Sequence, residues 1–294
     1  MQRRAGLWAG AATAAALLSA GPAAAQGNWN KPTEPFRIID NVYYVGTEGL
    51  SSYLFVTAEG NILIDGATAE AAPMIEQNIE KLGFKVKDIK ILLNSHAHYD
   101  HSAGLAQLKK DTGAQLYAME GDVSALEGGF YLGSEDNKAL GAPPVKVDGS
   151  LRDGSQISLG STTLTANLTP GHTRGCTSWS FTVKDAGKSY DALVFCSASV
   201  AANRITPPLQ YPGIVEDYRK TFVKAKSMKV DVPLAPHPDF FQLLQKAAKA
   251  KADPAAANPF IAPTEFGPFI RKAEADFERT LKERTEAAAK PVKQ

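Results

Sequence analysis

The 294-residue chain carries 44% hydrophobic and 21% charged residues, the balance of an ordinary globular protein and not of a disordered tail or a disulfide-stapled mini-protein. Lys and Arg total 32 against 31 Asp and Glu, so the net charge of +1 offers no basic footprint for nucleic acid and no acidic field for a cationic partner. The chemistry is expected in a small, local site.

Arg3 and Arg4 precede an apolar run from Leu7 to Ala20, followed by Ala23-Ala24-Ala25 before Gln26. This is the pattern of a secretory signal with a small-residue cleavage site, and its apolar core is too short for a spanning helix. Residues 1–25 are therefore read as a signal peptide. Residues 26–294 are read as a single periplasmic domain, without membrane contact after cleavage, because no repeat, low-complexity linker or charge block divides them.

The mature chain opens with short strand-like runs at Phe36–Ile39, Val42–Gly46, Tyr53–Thr57 and Asn61–Asp65, separated by turn residues, which predicts an antiparallel meander. Helical patterns then alternate with strands: a helix over Ala69–Leu82 stopped by Gly83, a strand over Ile89–Asn94, a helix near Leu105–Asp111 stopped by Gly113, and a strand over Ala114–Ala118. A second group of strands follows at Gln156–Leu159, Thr162–Leu168, Cys176–Val183 and Asp191–Cys196. A helix over Val215–Lys226, a strand over Val230–Ala235 and a helix beginning near Pro238 complete the body. Over Thr264–Ala289, Phe266, Phe269, Ile270, Ala273, Phe277 and Leu281 recur at near-helical spacing, so this segment should pack one face on the body.

Export to an oxidising compartment favours pairing of the two cysteines. The strands around Asp185-Ala186-Gly187 form a predicted hairpin whose centre lies midway between Cys176 and Cys196. The two are expected to face each other across it and to form a disulfide worth about 3 kcal/mol by loop closure. A zinc thiolate at Cys196 is the alternative.

Three of the five histidines fall in Asn94-Ser95-His96-Ala97-His98-Tyr99-Asp100-His101, where a predicted strand leaves the sheet and a helix begins. Loops at the C-terminal ends of strands are where α/β proteins build sites. In extended chain His96, His98 and Asp100 share a face while His101 points away, so a turn at Asp100 is required to separate two ligand sets. His172 and His237 each follow a predicted strand within a Pro- or Gly-rich turn. Imidazole mixed with carboxylate suits zinc better than calcium or magnesium, and ligand type leaves iron and manganese open. Three protein ligands and one open position per ion is the usual catalytic zinc arrangement, and the histidines with Asp100 supply two such sets with none left over.

The segment His96-Ala97-His98-Tyr99-Asp100-His101, with His172 and His237 downstream and Ile62-Leu63-Ile64-Asp65-Gly66 upstream, resembles the metallo-β-lactamase superfamily. The resemblance runs from Phe36 to His237 and implies an α/β fold, a four-layer αβ/βα sandwich with metals at one edge between the sheets. Most branches carry a metal-bridging Asp after the third histidine. The corresponding stretch Val194-Phe195-Cys196-Ser197-Ala198-Ser199 holds no carboxylate, which weakens thioesterase and nuclease readings. His101 directly after Asp100 is similar to subclass B3, as are Pro170-Gly171-His172-Thr173, Gly175-Cys176-Thr177-Ser178-Trp179, Gly213-Ile214-Val215-Glu216-Asp217-Tyr218 and Asn258-Pro259-Phe260.

The resemblance implies His96, His98 and His172 on a first zinc ion, and Asp100, His101 and His237 on a second. It implies Asp65 as a carboxylate steadying the metal loop, and one hydroxyl of Ser197 or Ser199, which Ala198 separates, as a contact to substrate carboxylate or metal-bound water; Asn203 and Arg204 follow as candidate polar contacts to substrate. The implied protein is a monomeric, two-zinc β-lactamase opening the lactam amide of small-molecule antibiotics through a metal-bound hydroxide that Asp100 orients. A zinc hydrolase of the same fold acting on a lactone, ester or thioester is the nearest alternative. A non-catalytic periplasmic zinc-binding protein is the more distant one.

Overall fold

A computed structural model describes residues 27–290, and the predicted signal segment over residues 1–25 lies outside them. The N-terminal meander forms as strands β1 (Phe36–Ile39), β2 (Val42–Tyr44), β3 (Tyr53–Thr57) and β4 (Gly60–Ile64). It continues into parallel β5 (Ile89–Leu93), β6 (Gln115–Met119) and β7 (Gly149–Leu151), giving a seven-stranded sheet in sequence order. The second sheet has five strands in the order β12-β11-β10-β9-β8, from β8 (Gln156–Leu159), β9 (Thr162–Leu168), β10 (Thr177–Asp185), β11 (Lys188–Val194) and β12 (Val232–Leu234).

Alternation along the strands builds the layers, because successive side chains leave a strand on opposite faces. Phe55, Ile62, Ile64 and Leu93 point between the sheets and meet Leu164, Trp179, Phe181 and Val194. Their neighbours Leu54, Leu63 and Leu92 point outward, under helices α1 (Ala72–Lys81), α2 (Tyr99–Ser102), α3 (Leu105–Thr112) and α4 (Glu120–Gly128). Ile75, Ile79, Leu105, Leu108 and Leu126 fill that outer layer. The far face of the second sheet is covered by α5 (Ile214–Ser227), α6 (Leu243–Ala252) and α7 (Phe266–Ala289), with Phe222, Phe266, Ile270 and Phe277 fully inside. The four-layer αβ/βα sandwich is thus realised, and the aromatic stripe of α7 is core. Among the described residues no helix is long and apolar enough to cross a membrane.

Gly113 ends α3 in the left-handed conformation at φ 74°, as its placement after a helical run predicts. Pattern alone assigns no element to residues 120–155, where the structure has α4 and β7. Helix α4 includes Gly121 and Gly128, which lower intrinsic helicity and blur its apolar period.

Cys176 and Cys196 are joined by a disulfide, with Cα atoms 5.8 Å apart. Their setting differs in one detail from the predicted hairpin. The β10–β11 turn is the two-residue pair Ala186-Gly187, both at positive φ, and the ladder runs from Asp185↔Lys188 to Trp179↔Val194. That register would set Cys176 opposite Ser197, so the bridge closes one residue out of step, just beyond the ladder. The amide of Cys196 has left the sheet there and donates to Ser178 Oγ at 3.0 Å.

Candidate metal centre

Strand β5 delivers the histidine loop to one end of the sandwich. His98 remains extended at φ −72°, ψ 146° and serves as the residue before α2, whose first amides close back on it: His101 N and Ser102 N donate to His98 O at 2.9 and 3.0 Å. This single helical turn is the change of direction that the sequence spacing demanded, and it separates His101 from His96 and His98.

The structure gathers all six predicted ligands into two adjoining sets. In the first, His172 Nε2 lies 3.0 Å from His98 Nδ1 and 3.1 Å from His96 Nε2. In the second, His101 Nε2 lies 3.2 Å from His237 Nε2 and 3.2 Å from Asp100 Oδ2, and His237 Nε2 is 3.5 Å from the same oxygen. The ligand-capable atoms of His96, Asp100 and His101 also fall within 4.8 Å of one another, so the two sets are contiguous. All of these side chains are buried except His237, which is partly open at the mouth.

The donor chemistry fits a bound cation. His172 Nδ1 faces the carbonyl oxygen of Ser199 at 2.7 Å and His237 Nδ1 faces that of Gly49 at 3.2 Å. A carbonyl accepts only, so each Nδ1 carries the proton and each Nε2 presents a bare lone pair inward. Those two lone pairs face nitrogens of His96, His98 and His101 at 3.0–3.2 Å, and a cation at the common focus would satisfy them together. Burial, reinforced by neighbouring imidazoles, holds His96 and His98 well below the usual histidine range. Burial also takes His172 down to about 4. The first set is therefore an uncharged nitrogen cluster at neutral pH. Around the second, burial opposes charge on both partners, yet Asp100 raises His101, and His101 with His237 holds Asp100 well below the carboxylate range.

Asp65 sits beneath the loop, fully buried. Its Oδ1 accepts from Ser95 N at 2.6 Å and Asn94 Nδ2 at 3.0 Å, and its Oδ2 accepts from Ser95 Oγ at 2.6 Å. His101 Nδ1 is 3.9 Å from Oδ2. Burial lifts the Asp65 carboxyl to about 6 against these donors. The disulfide lies under the same loop, with Cys196 Sγ 3.3 Å from Ser95 O and 3.7 Å from His96 Nδ1, so Cys196 is not a free thiolate.

The residues expected to contact substrate separate. Ser199 is exposed at the rim, with Oγ 3.4 Å from His172 Nδ1, whereas Ser197 is buried behind it. Asn203 is not at the open face. It is 2% exposed, its Nδ2 donates to His172 O at 2.8 Å, and its Oδ1 accepts from Tyr131 Oη at 2.8 Å, which leaves no group for a ligand. Arg204 likewise turns away to Gly133 O and Ser134 Oγ. Tyr53 is in the core with its hydroxyl donating to Ala235 O. Two supports have no role assigned by the sequence: Tyr218, whose hydroxyl donates to Ser199 O at 2.8 Å, and Asp122 on α4.

With this geometry in hand, the comparisons with known proteins are direct. The family model of the metallo-β-lactamase superfamily matches residues 45–237, and the chain belongs to that superfamily. Within it the likeness is to subclass B3. The structure is similar to BJP-1, a subclass B3 metallo-β-lactamase of Bradyrhizobium japonicum, at 50% identity and a TM-score of 0.87, covering 90% of this chain and 99% of that one. It is similar to native FEZ-1 of Legionella gormanii at 41% identity and a TM-score of 0.83, covering 87% and 98%. A hydroxyacylglutathione hydrolase of Rhodospirillum rubrum is 28% identical over 114 residues, 37% of this chain, and the chain spans about a third (36%) of that relative's length.

Proposed function

We propose that the protein is a zinc-dependent β-lactamase that holds one ion with His96, His98 and His172 and a second with Asp100, His101 and His237. The observation that carries this reading is the inward convergence of imidazole nitrogens in two adjoining sets, in a chain similar over nearly its whole length to subclass B3 enzymes. Zinc ions bound at such sets supply a hydroxide at neutral pH and a Lewis acid for the lactam carbonyl.

The chain's own groups do the positioning. Asp100, ionised and lying against both His101 and His237, accepts a hydrogen bond from the attacking water and fixes its approach to the lactam carbonyl. Ser199, exposed at the rim, donates to the carboxylate that β-lactams carry beside the ring. The indole of Trp29 stands 6.0 Å from the His237 ring and 5.8 Å from Tyr99, walling the mouth with apolar surface that limits competing water.

Hydrolysis of a chromogenic cephalosporin, lost with a chelator and restored by zinc, tests the proposal. Failure to turn over any penicillin, cephalosporin or carbapenem by the zinc-loaded protein would sink it. The partial likeness to hydroxyacylglutathione hydrolases keeps a thioester or lactone substrate as the second reading, which turnover of those esters without lactam turnover would favour.

A further inference from the structure

We propose that Asp122 is a positioning residue for the first metal set, its one carboxylate setting the separation between the loop of His96 and His98 and the loop of His172. The inference rests on the metal centre proposed above and concerns how this chain builds it.

Asp122 lies in the first turn of α4 and is 2% exposed. Its Oδ2 accepts from Ala97 N at 2.9 Å and from Thr173 Oγ1 at 2.7 Å, and its Oδ1 accepts from Gly175 N at 2.7 Å. Ala97 is the residue between His96 and His98, and Thr173 follows His172 directly. One rigid group thereby holds both loops from behind. At their base the same two segments are tied by Thr177 N to Ser95 O at 2.8 Å.

The backbone around it is built for this approach. A Cβ on Gly175 would fall 2.5 Å from Asp122 N and 2.7 Å from its Cγ, and a Cβ on Gly121 would fall 2.7 Å from the Arg174 carbonyl carbon and oxygen. Glycine on both sides lets α4 come close enough for a side chain as short as aspartate to reach three donors. Glutamate would overreach, and asparagine would turn an N–H₂ toward at least one backbone N–H or hydroxyl.

Asp122→Asn keeps the shape and removes the symmetry of acceptors. In competition with a chromogenic chelator, the zinc-loaded parent should release two ions, and the variant should hold one of them at least about tenfold more weakly while the other is unchanged. Leu126→Ala, on the same helix but buried in the outer core, is the stability control: it lowers Tm and leaves zinc retention as in the parent. Should Asp122→Asn not accumulate as folded protein, Thr173→Val removes one of the three donors, keeps the carboxylate, and should shift the same ion in the same direction by less. Parent-like retention in both variants, or equal weakening by Leu126→Ala at equal loss of Tm, would overturn the assignment. A parent that retains no zinc would overturn the metal centre and the clamp with it, and is distinguishable because both ions are then missing before any substitution.

Discussion

The phenol ring of Tyr131 lies flat on the imidazole of His98, with centroids 4.4 Å apart and planes 11° from parallel, and its hydroxyl is held by Asn203. The ring therefore fixes the plane in which His98 Nδ1 points. Tyr131→Phe keeps the stack and loses one buried hydrogen bond, so it should cost about 1 kcal/mol in urea unfolding with zinc retention intact. Tyr131→Ala removes the stack and leaves a cavity, and should cost about 3 kcal/mol and weaken zinc retention as well. Equal zinc retention in the two variants would show that the ring does not orient His98.

Ser199 and Asn203 should part company when each is replaced by alanine. Ser199 is exposed and its role in holding His172 runs through its backbone carbonyl, so the substitution should raise KM for a cephalosporin and leave kcat and Tm near the parent values. Asn203→Ala strands the carbonyl of His172 and the hydroxyl of Tyr131, costing about 1–3 kcal/mol and lowering kcat through a displaced imidazole. A pure KM effect for Asn203→Ala would place it at the substrate after all.

The Cys176–Cys196 bridge closes a loop with a sequence separation of 20 and touches the histidine loop through Cys196. Replacing both cysteines by serine should destabilise the protein by about 3 kcal/mol by the loop-closure estimate. Because Ser95 and His96 rest on the bridge, the double variant should also lose zinc to a chelator faster than the parent. Unchanged release would confine the bridge to a stabilising role.

Glu76 on α1 offers a pH-dependent test away from the metal centre. Burial, together with the neighbouring Asp111, raises its carboxyl from 4.5 to about 7. The folded state therefore holds this proton more tightly than the unfolded chain does, so ionisation costs stability. That cost is absent below the unfolded value, grows as pH rises toward the folded one, and is complete above it. Glu76→Gln cannot ionise, so its Tm advantage over the parent should be small near about pH 5 and larger near about pH 8. A constant or reversed difference would refute the raised value.

Periodicity alone carried much of the architecture. Alternating apolar residues located strands such as β8 and β9, and near-helical spacing of Phe266, Ile270 and Phe277 located α7, because burial of one face is a local rule that sequence records directly. The same holds for the candidate metal ligands, since His96, His98, Asp100 and His101 are close in the chain and His172 and His237 each stand just beyond a strand. Pattern alone cannot place Asn203, because a polar residue near a site reads the same whether it faces the ligand or supports it from behind, and only packing against Tyr131 and His172 decides. Helix α4 escapes pattern reading because Gly121 and Gly128 dilute its helical signal, and Gly121 is also one of the two glycines that let Asp122 approach the loops of His96 and His172. Which atoms would hold an ion was written in residue type and spacing. How firmly they are held depends on contacts between segments remote in sequence, such as the one from Asp122 to Thr173, and those exist only once the chain has folded.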